Sequence, residues 1–277
     1  MSTSTAEMPR RRPRRILPLR RGVYLLPNLV TSIGLLAGFY SIIATMNDRF
    51  WMAAAMILVA QCCDVLDGRI ARLARASSSF GVQYDSLADL ISFGVAPAVL
   101  VYAWALHPFG RWGWLAAALY ATCGALRLAR FNVQVTSVER RHFLGLPIPA
   151  AAAVISTTVL LHFDLGGQGA AHRPLLMLAI VYLLAGLMVS EIRYSSFKDV
   201  HLHRRHPFPV LIGIIVIVLV TVGAPWPVLA TAAVTYAASG PVGALLRRAR
   251  PARGVTTGSS TAPHLRPVTV DKVPKRS

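Results

Sequence analysis

The feature that most constrains this chain is a succession of long apolar runs. Eight stretches, at about 24–46, 51–73, 84–106, 112–131, 147–163, 174–191, 208–224 and 227–246, are apolar for most of their length. A helix crosses the hydrocarbon core of a bilayer in roughly 20 residues. In lipid, a single segment satisfies its backbone N–H and C=O groups only as a helix. The pattern therefore predicts an all-α polytopic membrane helix bundle of about eight transmembrane helices. Composition agrees: 55% of the 277 residues are hydrophobic and only 14% are charged, against about a quarter charged in soluble domains. The weakest runs are the short fifth and the last pair, which are parted by Gly223-Ala224-Pro225.

A net charge of +18 would suit nucleic acid if it were gathered along one groove. Here it is dealt out between the apolar runs. The N-terminal arm, 69–75, 127–141, 193–205 and the tail from Arg247 hold 26 of the 29 lysines and arginines, and the alternate connections hold only Arg49, Arg111 and Arg173. That asymmetry is the positive-inside pattern. It supports an even number of spans and places both termini in the cytoplasm of a cell (inner) membrane, with no nucleic acid expected as partner. Residues 1–22 and 247–277 are basic, polar and without apolar period, and read as disordered cytoplasmic segments flanking a transmembrane domain at 23–246. No small-residue cleavage site follows the first run, so it reads as a retained span rather than a signal peptide. Cys62, Cys63 and Cys123 lie inside apolar runs with no zinc spacing, and read as small packing residues. His201, His203 and His206 fit no metal template and read as loop residues at the interface.

Against this background stands DVLDGRIARLARASSSFGVQYDSLAD, residues 64–89. Asp64 and Asp67 are three apart near the end of the second span, and Asp85 and Asp89 are four apart at the start of the third. Each spacing puts its pair on one helix face. A turn around 76–79 lets the two helices run antiparallel, so that the pairs face each other. Intramembrane carboxylates are expensive and mark function. Three arrangements relieve four such charges: hard divalent cations, for which carboxylate oxygens are natural ligands, a proton or cation relay, and an ion-pair network with the local arginines. Gly68 and Gly81 clear the approach to the aspartates, and Ala71 is small one turn below Asp67. Arg72 offers a cation suited to a phosphate oxygen. Metal, phosphate-sized space and arginine together suggest a pyrophosphate substrate.

The stretch fits, without a gap, the pattern D-x2-D-G-x2-A-R-x8-G-x3-D-x3-D through Asp64, Asp67, Gly68, Ala71, Arg72, Gly81, Asp85 and Asp89. On these residues the chain resembles the CDP-alcohol phosphatidyltransferase family. Three further stretches are similar to its bacterial and archaeal phosphatidylserine synthase branch: 86–97, SLADLISFGVAP; 127–132, RLARFN; and 145–152, GLPIPAAA. Pro27-Asn28-Leu29-Val30-Thr31 is similar to the family's entry into its first helix. Gly34 departs from the asparagine that many relatives carry there, and forms Gly34-x-x-x-Gly38 instead. The likeness covers about 24–220.

The resemblance implies the family's fold and an enzyme that transfers the phosphatidyl group of CDP-diacylglycerol to L-serine, giving phosphatidylserine and CMP. It implies that Asp64, Asp67 and Asp85 hold two divalent cations, Mg2+ or Mn2+. Asp89 either completes the second metal site or acts as general base. It implies that Asn28, Thr31, Gly68, Ala71, Arg72 and Gly81 border the cytidine diphosphate. The alternatives are another acceptor, glycerol 3-phosphate or an inositol phosphate, and a cation transporter that uses the aspartates as a path. Aspartates gathered at one membrane edge count against a path.

Arg127 and Arg130, three apart at the cytoplasmic end of the fourth span, are topology charges or bind the carboxylate that serine presents, with Asn132 orienting it. Arg193, Lys198, Arg204 and Arg205 read as solvated positive-inside charges. The small residues of Gly34-x-x-x-Gly38 and of the Ala-rich third to fifth spans suit close helix packing. Most of that surface is needed within one protomer, and the remainder, with the resemblance, suggests a homodimer whose protomers each keep four aspartates.

Overall fold

The computed structural model describes residues 25–73, 78–135, 145–171, 174–192, 194 and 219–249. Among them every regular element is helical. Helix α1 is Leu25–Met46, α2 is Phe50–Leu73, and α3 is the continuous helical run Ser79–Phe109. Helices α4, Arg111–Val135, α5, Ile148–Asp164, α6, Pro174–Val189, and α7, Pro225–Ala249, complete the order. These agree with seven of the eight apolar runs to within a few residues. Of the remaining run, 208–224, residues 219–223 are described and are helical. Among the described residues, four helices, Leu26–Met46, Phe50–Leu73, Ser79–Phe109 and Pro225–Leu246, are long and apolar enough to cross a membrane. Helices α5 and α6 are apolar but shorter. The arm 1–22, residues 250–277 of the tail and the loop basic and histidine residues 193 and 198–206 lie outside the described residues. Helix α7 runs to Ala249, three residues into the stretch read as tail.

Local chemistry sets the ends. Asp48 closes α1 at φ 57, a left-handed position that Asp tolerates. Its N–H donates to Thr45 O at 3.0 Å and that of Arg49 to Ala44 O at 2.9 Å, a Schellman arrangement that satisfies the last carbonyls and turns the chain into α2 within three residues. Ser78 caps α3, its Oγ accepting from Gly81 N at 2.9 Å. This cap starts the helix five residues before the apolar run at 84, and makes Ser79 helical rather than part of the turn. Gly145, at φ 79, passes so close to Met188 O that a side chain has no room. Its N–H donates to Ile192 O at 2.9 Å and that of Leu146 to Leu187 O at 3.0 Å. The entry to α5 is thereby pinned to the end of α6.

The helices alternate in direction. The start of α1, the ends of α2, α4 and α6, and the starts of α3 and α5 gather at the aspartate end. All five tryptophans, Trp51, Trp104, Trp112, Trp114 and Trp226, lie at the other end. Trp51 of α2 meets Trp226 of α7 edge-on at 6.2 Å, so α7 starts at the tryptophan end. Indole rings favour a membrane–water interface, and Trp112 and Trp114 are more than half exposed there. Helix α3 runs through the middle: 61% of its apolar window is buried, against 39% in α1 and α2 and 17% in α7. Phe93, Leu100, Val101 and Leu106 of α3 pack with Ile57 of α2, Tyr120 of α4 and Ile148 and Ile155 of α5 in the core. Both glycines of Gly34-x-x-x-Gly38 serve contacts inside the protomer. A Cβ on Gly34 would stand 3.1 Å from Cys63 Cβ, and one on Gly38 would stand 2.7 Å from Ser92 Cα. All three cysteines are free thiols, Cys62 exposed and Cys123 buried.

Candidate active site

Antiparallel α2 and α3 bring the two aspartate pairs together, as their spacing requires. One carboxylate oxygen from each of Asp64, Asp67 and Asp85 lies within 4.8 Å of the others. Asp89 stands outside this group but lines the same narrow cleft, of about 190 Å³, with Thr31, Gly34, Ser92 and Phe93. Asp67 is 5% exposed and accepts from Thr31 Oγ1 at 2.6 Å. Thr31 Oγ1 is also 3.1 Å from Pro27 O. A hydroxyl carries one proton, so this one chooses between the helix carbonyl and the carboxylate, and an ionised Asp67 makes the stronger bond.

A second, wider cleft of about 420 Å³ adjoins the first. Pro27, Asn28, Thr31, Asp67, Gly68, Ala71, Ser78, Gly81, Val82 and Asp85 line it. Five of the six residues expected to border a cytidine diphosphate are here. Arg72 is the sixth, and it is exposed and lines neither cleft. At about 100° per residue it lies some 140° around α2 from Asp67, whereas Ala71 lies some 40° away. The two glycines differ. A Cβ on Gly68 would meet nothing within 4 Å, whereas one on Gly81 would stand 3.1 Å from Ser78 Oγ and 3.2 Å from Asn28 Oδ1. Next to Asn28, Ser32 Oγ donates to Asn28 O at 2.8 Å and lies 2.8 Å from Tyr84 Oη. With the serine proton committed, Tyr84 is the donor, and it ties α3 to α1 beside the cleft.

On the far side of Asp89 stands α4. Arg127 is half-buried and close enough to Asp89 and to Tyr236 of α7 for their charges to act on it. Its Nε is buried without a hydrogen-bond partner among the described residues. The other two α4 candidates each hydrogen-bond to a neighbouring helix. Arg130 Nη1 donates to Val189 O at 3.3 Å. Asn132 Nδ2 donates to Ser86 Oγ at 3.1 Å, and Ser86 in turn donates to Val82 O at 3.0 Å.

Directly after Asp89 the helix widens into a π turn, Leu90–Val95, a form that recurs at functional sites. Its backbone is held from two sides. The fully buried Tyr120 donates from its Oη to Phe93 O at 3.1 Å, and Ser92 Oγ donates to Gly34 O at 3.3 Å. Tyr120, Ser92, Tyr84 and Ser78 were not expected from the sequence. Only Ser78, a serine three residues before the helix's free N–H of Gly81, carries a local signal; the others act across the fold.

The model of the family described as CDP-alcohol phosphatidyltransferase matches residues 24–189. A CDP-diacylglycerol–serine O-phosphatidyltransferase of Helicobacter pylori (strain ATCC 700392 / 26695) is 42% identical over 182 residues, 64% of this chain and 75% of its own. The protein of the same description in Bacillus subtilis (strain 168) is 34% identical over 173 residues, 62% of this chain and 91% of its own. An archaetidylserine synthase of Methanothermobacter thermautotrophicus is 37% identical over 171 residues, 61% of this chain and 69% of its own.

Proposed function

Because this chain belongs to the CDP-alcohol phosphatidyltransferase family, we propose that it transfers the phosphatidyl group of CDP-diacylglycerol to the hydroxyl of L-serine, giving phosphatidylserine and CMP. The observation that carries this reading is the joined pair of clefts. Three carboxylates within 4.8 Å of one another open onto a space lined by Asn28, Thr31, Gly68, Ala71 and Gly81. Serine as acceptor is supported by relatives of that description at 34–42% identity.

Two divalent cations, Mg2+ or Mn2+, fit the donor set. Three carboxylates with oxygens within 4.8 Å of one another are the hard donors that such cations take. Asp64, Asp67 and Asp85 would hold them. When bound, the ions supply charge stabilisation to the pyrophosphate as CMP leaves. Asp89, which lines the same cleft but is outside the group of three, takes the proton of the acceptor hydroxyl. The freed oxygen bonds to the phosphorus that carries the diacylglycerol. The bond from that phosphorus to the bridging oxygen breaks, and its electron pair leaves with CMP. Thr31 keeps Asp67 oriented throughout. Arg127 pairs with the acceptor carboxylate, while Arg130 and Asn132 hold α4 against α6 and α3. The assembled enzyme is a multi-pass cell-membrane protein of eight spans, with termini and clefts on the cytoplasmic side. Helix α6 ends at the aspartate end and α7 starts at the tryptophan end, and the predicted seventh span lies between them. We read it as a homodimer with one complete site per protomer.

The test is CMP release by the purified protein with CDP-diacylglycerol, Mg2+ and a panel of labelled acceptors. Serine is expected to be consumed. Release only with glycerol 3-phosphate or an inositol phosphate would reassign the acceptor. No release with any acceptor, together with cation flux in liposomes, would make the aspartates an ion path.

A further inference from the structure

The aspartate-bearing turns of α2 and α3 face each other across the narrow cleft, with Ala60, Asp64 and Asp67 on one wall and Asp85, Ala88 and Asp89 on the other. Their separation is therefore set by what packs against both helices. On one flank that is α1, through Thr31 to Asp67 and Ser92 to Gly34 O. On another it is the start of α5, within the stretch GLPIPAAA. Gln61 of α2, one turn before Asp64, donates from its Nε2 to Pro149 O at 2.7 Å. Within the apolar run of α2 a carboxamide without a partner is expensive, which holds Gln61 to this bond. Ile148, the residue before Pro149, is fully buried and ends where α3 crosses α4. A Cβ on Gly94, in the π turn after Asp89, would stand 3.5 Å from Ile148 Cδ1. One on Gly124 of α4 would stand 2.6 Å from that same atom and 3.9 Å from Gly94 Cα. The two glycines thus let α3 and α4 close on the tip of Ile148. The turn that carries Ile148 and Pro149 is itself anchored, because Gly145 and Leu146 tie it to the end of α6.

We propose that Gln61 and Ile148 are positioning residues of the transfer reaction: through them the first turn of α5 fixes the distance between the carboxylates of α2 and those of α3. Gln61 holds the turn of Asp64, and Ile148 holds the π turn that follows Asp89. Neither residue lines a cleft, so both act through the aspartates. This rests on the transferase and metal reading above and deepens it. Carboxylates whose spacing is relaxed bind divalent cations less tightly and turn over more slowly, while the surfaces that meet the two substrates are unchanged.

The experiment uses the full chain in detergent and reads two quantities: Mn2+ binding, followed by the electron paramagnetic resonance signal of the free ion, and steady-state CMP release at saturating metal. Gln61→Leu keeps the size of the side chain and removes the bond to Pro149. Mn2+ affinity and kcat are each expected to fall about tenfold, the lower end for a residue that orients metal ligands, with the KM values for serine and CDP-diacylglycerol unchanged. Gly124→Ala pushes the tip of Ile148 aside and is expected to lower kcat. Adding Ile148→Val removes Cδ1 and leaves Cγ1 3.4 Å from the new methyl, so the double variant is expected to recover. A bridge that only stabilises the fold would lower the Tm of Gln61→Leu and leave its Mn2+ affinity and kcat within about twofold of wild type. That result, or a double variant no more active than Gly124→Ala, overturns the proposal. Gln61→Leu leaves the glycine crossing intact and decides the matter alone if Gly124→Ala does not fold. If the wild-type chain binds Mn2+ but releases no CMP with any acceptor, the transferase reading falls, and the Mn2+ titration of Gln61→Leu still tests the positioning. If the wild-type chain binds no Mn2+, the metal reading falls and takes this one with it.

Discussion

Gly68 shows how much a single residue says once its surroundings are known. A Cβ there meets no protein atom within 4 Å, and yet the residue lines the wider cleft. The absence of a side chain therefore leaves cleft space open and relieves no contact in the fold. Gly68→Ala is expected to leave thermal stability unchanged while weakening CDP-diacylglycerol binding by about 1–3 kcal/mol, the usual cost of an added methyl in a filled space. The donor KM measures it, and an unchanged KM would remove Gly68 from the binding surface. The aspartates give the complementary case. Asp64→Asn and Asp85→Asn each remove one charged oxygen donor from a group spanning 4.8 Å. Both variants are expected to fold and to release no CMP at any Mg2+ concentration. Turnover that still requires metal, at the wild-type rate, would refute the shared site. The residues of the motif were legible before the structure because spacings of three and four fix a helix face. The direction of Arg72, away from both clefts, follows from the same rule applied one residue further.

At the scale of elements, α3 is the piece on which the site depends. It is the most buried of the long helices, and it carries Asp85 and Asp89 just ahead of a π turn. The turn alters the phase between Asp89 and the packed half of the helix, and Tyr120 holds it from α4. Tyr120→Phe deletes that hydrogen bond and keeps the ring. It is expected to cost about 1 kcal/mol of stability and to lower kcat while both KM values stay near wild type, because Asp89 is misdirected and neither substrate contact is lost. Equal kcat in the two proteins would reduce Tyr120 to a packing residue. Neither the π turn nor its anchor was legible in the sequence. Residues 84–106 read as one uniform apolar run, and the hydroxyl and carbonyl that meet are 27 residues apart on different helices.

For the whole molecule, the open matter is how protomers assemble. The small-residue motif of α1 is used within the protomer, Gly34 against Cys63 and Gly38 against Ser92, so the proposed homodimer would pack through other surface. Each protomer already brings all four aspartates and both clefts together from its own helices. Hybrid dimers of wild-type and Asp89→Asn chains, purified by separate tags, are therefore expected to keep about half of the wild-type activity, as closed dimers with independent sites would. Near-zero activity would mean that the site is shared across the interface.

What the sequence determined by itself was everything set by short-range spacing and by the bilayer. Apolar length dictated helices, and the D-x2-D-G through D-x3-D spacing dictated which carboxylates face each other. These depend on helical period and on the absence of water in lipid, and both act on each segment separately. Only the tertiary structure decided which flank of the aspartates faces Arg127, and that Arg130 hydrogen-bonds to α6 and Asn132 to α3. It also decided that Tyr194 donates to the carbonyl of Ala237, which Pro241 inside α7 leaves without its helical donor. The hydrogen bonds of Tyr194, Asn132 and Arg130 join residues 43 to 59 positions apart. Whether such groups meet depends on the rotation and crossing of whole helices, which no local pattern encodes.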